Sequence, residues 1–325
     1  MQDATISIDS SLANLANLSR REWQARLIAV ADENGMHQLL GKRHFATFID
    51  GKNTLLVTFE TTQGIRSLSQ TAQPFGFEMV RALGWSNLCI MSDGDTWFRD
   101  SDVFSFFDQL IDDGFFDEFE TVVFYGAGPC GYSAAAFSVV SPGATVVAVQ
   151  PQATLDPEMS EWDDRFPEMR RTSFRDRFGF APDMLDAANH AFIIYDPRQE
   201  LDAMHATLFA RPNVTRLKMP GMGGALQTQL IDMNILYRLL TLAGTGHLTT
   251  AAFDDLHRAR RDNLFYLNAL RGALEKEKRY GLLTVLCRNV VSRLDAPKFG
   301  ERLEELEEMA DSGEFRMPGR LIPIL

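Results

Sequence analysis

Apolar and polar positions along the chain switch repeatedly between a helical and a strand period. Over residues 18–40, Leu18, Trp23, Leu27, Ile28 and Leu39 fall near helical spacing, which predicts one amphipathic helix. Residues 44–50 and 54–59 read as strands joined by a turn at Gly51-Lys52-Asn53. Residues 63–74 are polar and read as a loop, and 87–91 as a short buried strand. Residues 102–113 place Val103, Phe106, Phe107 and Leu110 on one helical face. Residues 121–125 are unbroken apolar, as expected of a parallel strand covered on both sides.

A small-residue helix follows over 130–140, then strands at 144–149 and 191–195, a helix at 199–209 and a strand at 214–218. Strands alternating with helices imply a parallel sheet wound right-handedly. From about residue 226 the pattern is helical only, over 226–242, 251–274, 282–294 and 302–309, without a tetratricopeptide signature. The expected organisation is an α/β domain with an N-terminal helical extension over 1–240 and an all-helical domain over 241–325. The acidic run Glu304-Glu305-Leu306-Glu307-Glu308 reads as a solvated helix face.

A net charge of −12 argues against nucleic acid or an anionic membrane as the main partner, since both require a basic surface. The three cysteines, Cys89, Cys130 and Cys287, are far apart and odd in number. They form neither a disulfide framework nor a zinc-spaced cluster, and they suit a reducing compartment. No signal peptide precedes the first helix and no apolar run reaches the ~20 residues of a membrane span. The expectation is a cytoplasmic protein.

The densest chemical signal is Thr121-Val-Val-Phe-Tyr-Gly126-Ala-Gly128-Pro-Cys130-Gly131-Tyr-Ser-Ala-Ala, which runs strand, tight turn, helix. Gly126, Gly128 and Gly131 fit the G-x-G-x-x-G pattern that lets a backbone approach a pyrophosphate at a helix N-terminus. On that reading the protein would be a FAD- or NAD-dependent oxidoreductase. An acidic residue should then close the next strand to hold a ribose, and Gln150 stands there. The turn also begins only after 120 residues, and no later flavin signature follows.

The alternative is a nucleophile elbow, a strained strand-to-helix turn of pattern G-x-S-x-G. The segment resembles α/β-hydrolases with a G-S-S-M-G-G-Y-A-A turn, among them proteins found with capsular polysaccharide genes. Aligning Gly126, Gly131, Tyr132 and Ala134 with that turn puts Gly128 at the nucleophile position. The resemblance continues through Val146-Val-Ala-Val-Gln-Pro151-Gln152, Leu155-Asp156, Trp162-Asp163 and Arg165-Phe166. It ends in Ile194-Tyr195-Asp196-Pro197 with Asp202 and His205-Ala206, and spans about residues 45–235. It implies an α/β-hydrolase-like fold, with a mostly parallel sheet and helices on both faces, and no cofactor.

The resemblance places the triad acid at Asp196. The base should follow the last strand, where Met219-Pro220-Gly221-Met222-Gly223-Gly224-Ala225 contains no histidine. Glycine carries neither a nucleophile nor a proton, so the ordinary acyl-enzyme route is closed. Cys130 is the candidate substitute nucleophile of an esterase, thioesterase or acyltransferase. A helix N-terminus lowers a thiol pKa, but His44, His190 and His205 are not placed by sequence to serve it. The bland reading of Cys130 is a small residue packing the elbow helix.

Other candidates divide the same way. Asp202 and His205 share a helical face, as a metal pair or a surface hydrogen bond. Arg165, Arg170, Arg171, Arg175 and Arg177 lie in an insert that resembles a lid, and either grip an anion or pair with Asp163, Asp164, Glu168 and Asp176. Thr61 and Thr62 follow the strand whose loop supplies an oxyanion-hole amide. Trp97 and Phe98 line a pocket or fill the core. A phosphoadenosine phosphosulfate reductase would need a Gly-Lys-Asp phosphate loop and a reactive C-terminal cysteine, and neither is found. The best-supported expectation is a catalytically degenerate hydrolase-like protein. Its ligand-binding residues are expected to be Gly126, Gly128, Gly131, Thr61, Arg165 and Arg171, holding a small anionic or carbohydrate-like molecule. The C-terminal helices are left for a second copy or a protein partner.

Overall fold

The structure is a computed structural model in which residues 14–319 are described. Helix α1 (Arg20–Asn34) opens with a capping box, in which Ser19 accepts the Glu22 N–H and Glu22 accepts the Ser19 N–H. It stops before the end of the helix expected over 18–40, because Gly35–Leu40 forms strand β1. This strand pairs antiparallel with β2 (His44–Ile49), from Gly35 opposite Ile49 to Leu40 opposite His44. A Cβ on Gly35 would stand 2.3 Å from the Phe48 carbonyl oxygen, so the close approach of the two strands needs glycine there.

Strand β3 (Lys52–Thr61) follows the 51–53 turn but does not pair with β2. Helix α2 (Thr62–Leu68), in the stretch expected to be loop, and helix α3 (Gly76–Leu83) lead into β4 (Trp85–Ser92), which inserts between them. Helix α4 (Ser101–Asp112) then leads to β5 (Thr121–Ala127), and helix α5 (Pro129–Phe137) to β6 (Thr145–Val149). The insert beyond β6 holds only the short turns α6 (Pro157–Ser160) and α7 (Ala181–Met184) before β7 (His190–Tyr195). Helix α8 (Glu200–Leu208) and strand β8 (Val214–Lys218) complete the sheet.

The eight strands run in the order β1-β2-β4-β3-β5-β6-β7-β8. The pairs β1–β2 and β2–β4 are antiparallel, and every other pair is parallel. Alternate residues of β4 enter different cores, Leu88 and Ile90 one, Cys89 and Met91 the other. The first core takes up α4 and α5, and the second takes up α1 and α3. Stacked phenylalanines, Phe59 on Phe137 at 5.5 Å and Phe107 on Phe137 at 4.7 Å, fill the first core under the elbow. This mostly parallel sheet with helices on both faces is an α/β-hydrolase-like fold, with the strand-turn-helix elbow after the inner strand β5.

The helix expected over 226–242 is two, α9 (Leu226–Asp232) and α10 (Leu236–Gly244), broken at Asn234 with φ +54°. The chain divides into compact units of Met1–Asp254 and Asp255–Leu325. Helix α11 (Thr250–His257) spans that boundary. In the second unit α12 (Leu264–Lys276), α13 (Tyr280–Val291) and α14 (Pro297–Asp311) bury Leu267, Leu283, Cys287, Val290, Phe299 and Leu306 in a core of their own. Among the described residues no helix is long and apolar enough to cross a membrane.

Candidate functional site

Gly128 sits at the turn between β5 and α5 with φ +56° and ψ −124°. Side chains rarely adopt that backbone geometry, whereas glycine does so freely. Its N–H donates to the Val149 carbonyl at 2.8 Å, and its carbonyl accepts the Tyr132 N–H at 3.0 Å. A Cβ built on Gly128 would meet nothing within 4 Å, so the position opens onto free space. The flanking glycines serve packing instead. A Cβ on Gly126 would lie 2.1 Å from the Cys130 carbonyl oxygen, and one on Gly131 would lie 3.0 Å from that of Val149. Close helix–strand approach therefore accounts for both without a bound pyrophosphate.

The residue after the elbow position is Pro129. In this fold the oxyanion hole takes a backbone N–H from the residue following the nucleophile, and proline has none.

Asp196 is fully buried at the end of β7. One carboxylate oxygen accepts the Arg198 N–H at 2.9 Å and the other accepts the Gly223 N–H at 2.7 Å. A backbone amide of the loop after β8 thus meets this carboxylate. Gly221 (φ +82°) and Gly223 (φ +78°) give that loop its left-handed turns.

Cys130 lies in the first turn of α5 but is buried, and burial together with nearby Glu60 pushes its thiol well above the ordinary range. None of the three candidate histidines serves it. His44 meets Thr96 at 2.8 Å, and His190, at the start of β7, meets Thr215 at 2.9 Å. His205 accepts the Ala153 N–H at Nδ1 and meets the Asp163 carboxylate through Nε2 at 2.9 Å. Burial disfavours its charged form and lowers its pKa, although the Asp163 hydrogen bond opposes this.

The arginine-rich insert is largely neutralised, by carboxylates of its own and of α4 and α8. Arg165 bridges Asp163 at 2.7 Å and Asp202 at 2.6 Å. Arg175 pairs with Asp156 and Glu158, and Arg177 with Asp108. Arg171 is exposed in the turn Pro167–Arg171. Asp202 and His205 do not join each other, since Asp202 also accepts from Gln150 Nε2 at 2.7 Å. Gln150 accepts the Leu226 N–H at 3.0 Å and so ties β6 to α9. Trp97 and Phe98 are core residues, and the Trp97 indole N–H donates to Gln152 at 3.2 Å. Among the described residues no three metal-ligating side chains converge.

A cavity of about 460 Å³ lies at the C-terminal ends of β3 and β5. Its wall includes Thr61, whose hydroxyl caps α2 by accepting the Gly64 N–H at 2.9 Å, and Ala127, Pro129 and Cys130 of the elbow. Arg165, Arg171 and Asp196 are not part of it. Four carboxylates are: buried Glu60, half-buried Glu78, and exposed Asp95 and Asp232. Glu60 accepts from the Phe75 N–H at 3.1 Å, the Thr58 hydroxyl at 3.1 Å and the Cys89 thiol at 3.3 Å. Burial raises its carboxyl above the usual carboxylate range despite these bonds. Sequence reading missed this acid; the available signal was one glutamate ending the apolar run Leu55-Leu-Val-Thr-Phe59.

No family model matches the chain, and no curated protein is detectably similar to it. Among solved structures it is similar to the Glycosylation Associate Protein (Gap123) complex from Streptococcus agalactiae, at 11% identity and TM-score 0.42 over 65% of this chain. That match spans 48% of the other chain, about half its length. A capsule O-acetyltransferase of Neisseria meningitidis serogroup A is similar at 13% identity and TM-score 0.39, over 61% of this chain and 93% of that one. Est1E from Butyrivibrio proteoclasticus follows at 14% and 0.37, over 63% and 97%.

Proposed function

We propose that this chain is a catalytically degenerate α/β-hydrolase-like protein that binds a small polar molecule in the cavity beside the elbow, as a binding or accessory protein. The observation that carries the reading is the Gly128-Pro129 pair, which supplies neither a nucleophile nor the adjacent amide an oxyanion would need. The Asp196 carboxylate, bonded to the Gly223 N–H, supports it, because an orienting acid has no imidazole to orient. Cys130-based catalysis is the weaker alternative: a buried thiol with a raised pKa is a poor nucleophile at neutral pH.

Of the two ligand types suggested by the sequence, the cavity disfavours the anion, because its four carboxylates repel one, and it suits a molecule that brings hydrogen-bond donors. Three unpaired buried cysteines fit a cytoplasmic setting. The exposed Leu264, Phe265, Leu282 and Val291 of α12 and α13 are consistent with a protein partner or second copy.

Two measurements on the purified chain test the reading. Turnover of activated acetyl and butyryl esters should not exceed the buffer rate, and a thermal-shift panel of sugars, amines and carboxylates should contain at least one stabilising compound. Ester turnover that survives purification and disappears in Cys130→Ser would replace binding with catalysis.

A further inference from the structure

The cavity wall carries a charge pattern that narrows its ligand beyond "small and polar". Its four carboxylates come from four separate parts of the chain: Glu60 from β3, Glu78 from α3, Asp95 from the β4–α4 connection and Asp232 from the end of α9. Among the described residues no lysine, arginine or histidine lines the space. The nearby Arg81 is turned to Gln73, to which it donates at 2.6 Å. Tertiary folding therefore converges negative charge from distant segments and leaves it without a cation in the cavity.

Glu60 is the informative member. It is 8% exposed, and its bonded donors are a backbone N–H, a hydroxyl and a thiol, all neutral. A buried carboxylate held only by neutral donors still lacks a counter-charge, and a buried acid is ordinarily paired. Cys130 adds an independent observation. It is 6% exposed and lines the same cavity, and among the described residues its thiol has no hydrogen-bond partner. The Cys130 thiol is thus an unpartnered polar group, more than nine-tenths buried, on the wall that also holds Glu60. The rest of the wall is mixed, with an apolar part made of Phe59, Ile65, Leu68, Phe75 and Ile231 beside polar Thr61, Ser69, Thr71 and Gln227. Phe75 stacks on Tyr237 at 4.5 Å, which makes a firm flat surface for a carbon chain.

We infer that this cavity takes a small aliphatic amine, with one ammonium group on the Glu60 carboxylate at the floor and its carbon chain along Phe75 and Tyr237 towards the Asp95 and Asp232 carboxylates at the rim. The inference rests on the binding reading above and specifies its ligand. An ammonium supplies the counter-charge that Glu60 lacks, and its N–H groups are donors of the type a carboxylate accepts. The methylenes of the same molecule cover the apolar part of the wall around Phe75 and Tyr237. The cavity volume of about 460 Å³ lies in the range of small-molecule sites.

Three compounds with one six-carbon skeleton isolate the charge: 1,6-diaminohexane, 1,6-hexanediol and adipate. Calorimetric titration of the full chain at matched ionic strength should give the diamine at least about tenfold tighter binding than the diol, and no binding of adipate. Added salt should weaken the diamine and leave the diol unchanged. Glu60→Gln should weaken the diamine about tenfold or more. Asp95→Asn, an exposed position that spares the fold, should weaken it several-fold. Diol binding equal to that of the diamine, or diamine binding unmoved by both variants, overturns the inference. Binding of methyl glucoside without binding of the diamine overturns it as well, while the binding reading stands. Ester turnover abolished by Cys130→Ser overturns the binding reading itself.

Discussion

The Asp196 carboxylate accepts the backbone N–H of Gly223 at 2.7 Å, across the gap between the ends of β7 and β8. In a working hydrolase of this fold, the loop after the last strand brings an imidazole to the acid. Here the loop meets the carboxylate with a backbone N–H, and the bond holds the connections after β7 and β8 together. A charge-assisted hydrogen bond contributes about 1.5–3 kcal/mol.

Asp196→Asn tests that role. The amide retains one acceptor and turns an NH₂ group towards a backbone donor. The variant should lose about 1.5–3 kcal/mol in urea unfolding and retain whatever ligand binding the cavity shows. Unchanged stability would mean that the Gly223 contact contributes nothing.

Gly128→Ser should fold, because a Cβ there meets nothing within 4 Å. Its cost is the positive φ of +56°, about 1–3 kcal/mol for a residue with a side chain. It should not hydrolyse activated esters above the wild-type rate, since Pro129 still withholds the amide and the loop 219–225 after β8 holds no histidine. Turnover in this single variant would reveal a base elsewhere and would refute the degenerate reading.

Stability should decline below about pH 6.5, the ordinary histidine value. Burial lowers the pKa of His205 and of His44, so the unfolded chain takes up protons first as pH falls. The stability contributed by the neutral rings is complete above that pH and is lost towards the lower folded values. Urea midpoints at pH 8 and 5.5 should diverge more for the wild type than for His205→Gln.

Glu60 has the opposite sign. Burial raises its folded pKa above 4.5, so the stability of its neutral form is complete below that pH and is lost as pH rises through the folded value. Glu60→Gln removes that loss. Its stability relative to wild type should rise from pH 4.5 to 8 by about 1.4 kcal/mol for each unit by which the carboxyl is raised. Parallel denaturation curves across that range read the difference, and a constant offset would place Glu60 in water.

Cys130 should resist alkylation. With a buried thiol and a raised pKa, iodoacetamide labelling at pH 7.5 should be at least ~100-fold slower than in the urea-unfolded chain. Peptide mass spectrometry assigns the site. Rapid selective labelling in the folded chain would restore the thiol as a candidate nucleophile.

The strands of the sheet were legible because buried parallel strands are apolar without interruption, as in Val122-Val-Phe-Tyr125, and the helices between them carry their own period. The strand-turn-helix at Gly128 was legible as well, since it depends on residue type at a short, local spacing. So was the loss at Pro129, because a missing N–H is a property of the residue. The boundary at Gly35 was not legible: whether residues 35–40 continue a helix or extend depends on the carbonyls of β2, which lie beyond any local window. The same limit governed the charges. Arg165 looks like an anion grip in sequence, yet Asp202, 37 residues away, holds it. Glu60, Glu78, Asp95 and Asp232 look unrelated along the chain, yet the fold gathers them around one cavity. Side-chain chemistry and local period belong to the sequence, whereas the partner of a charge depends on distances in space. Chain separation does not encode those distances, so only tertiary packing decided which charges were paired and which line the cavity.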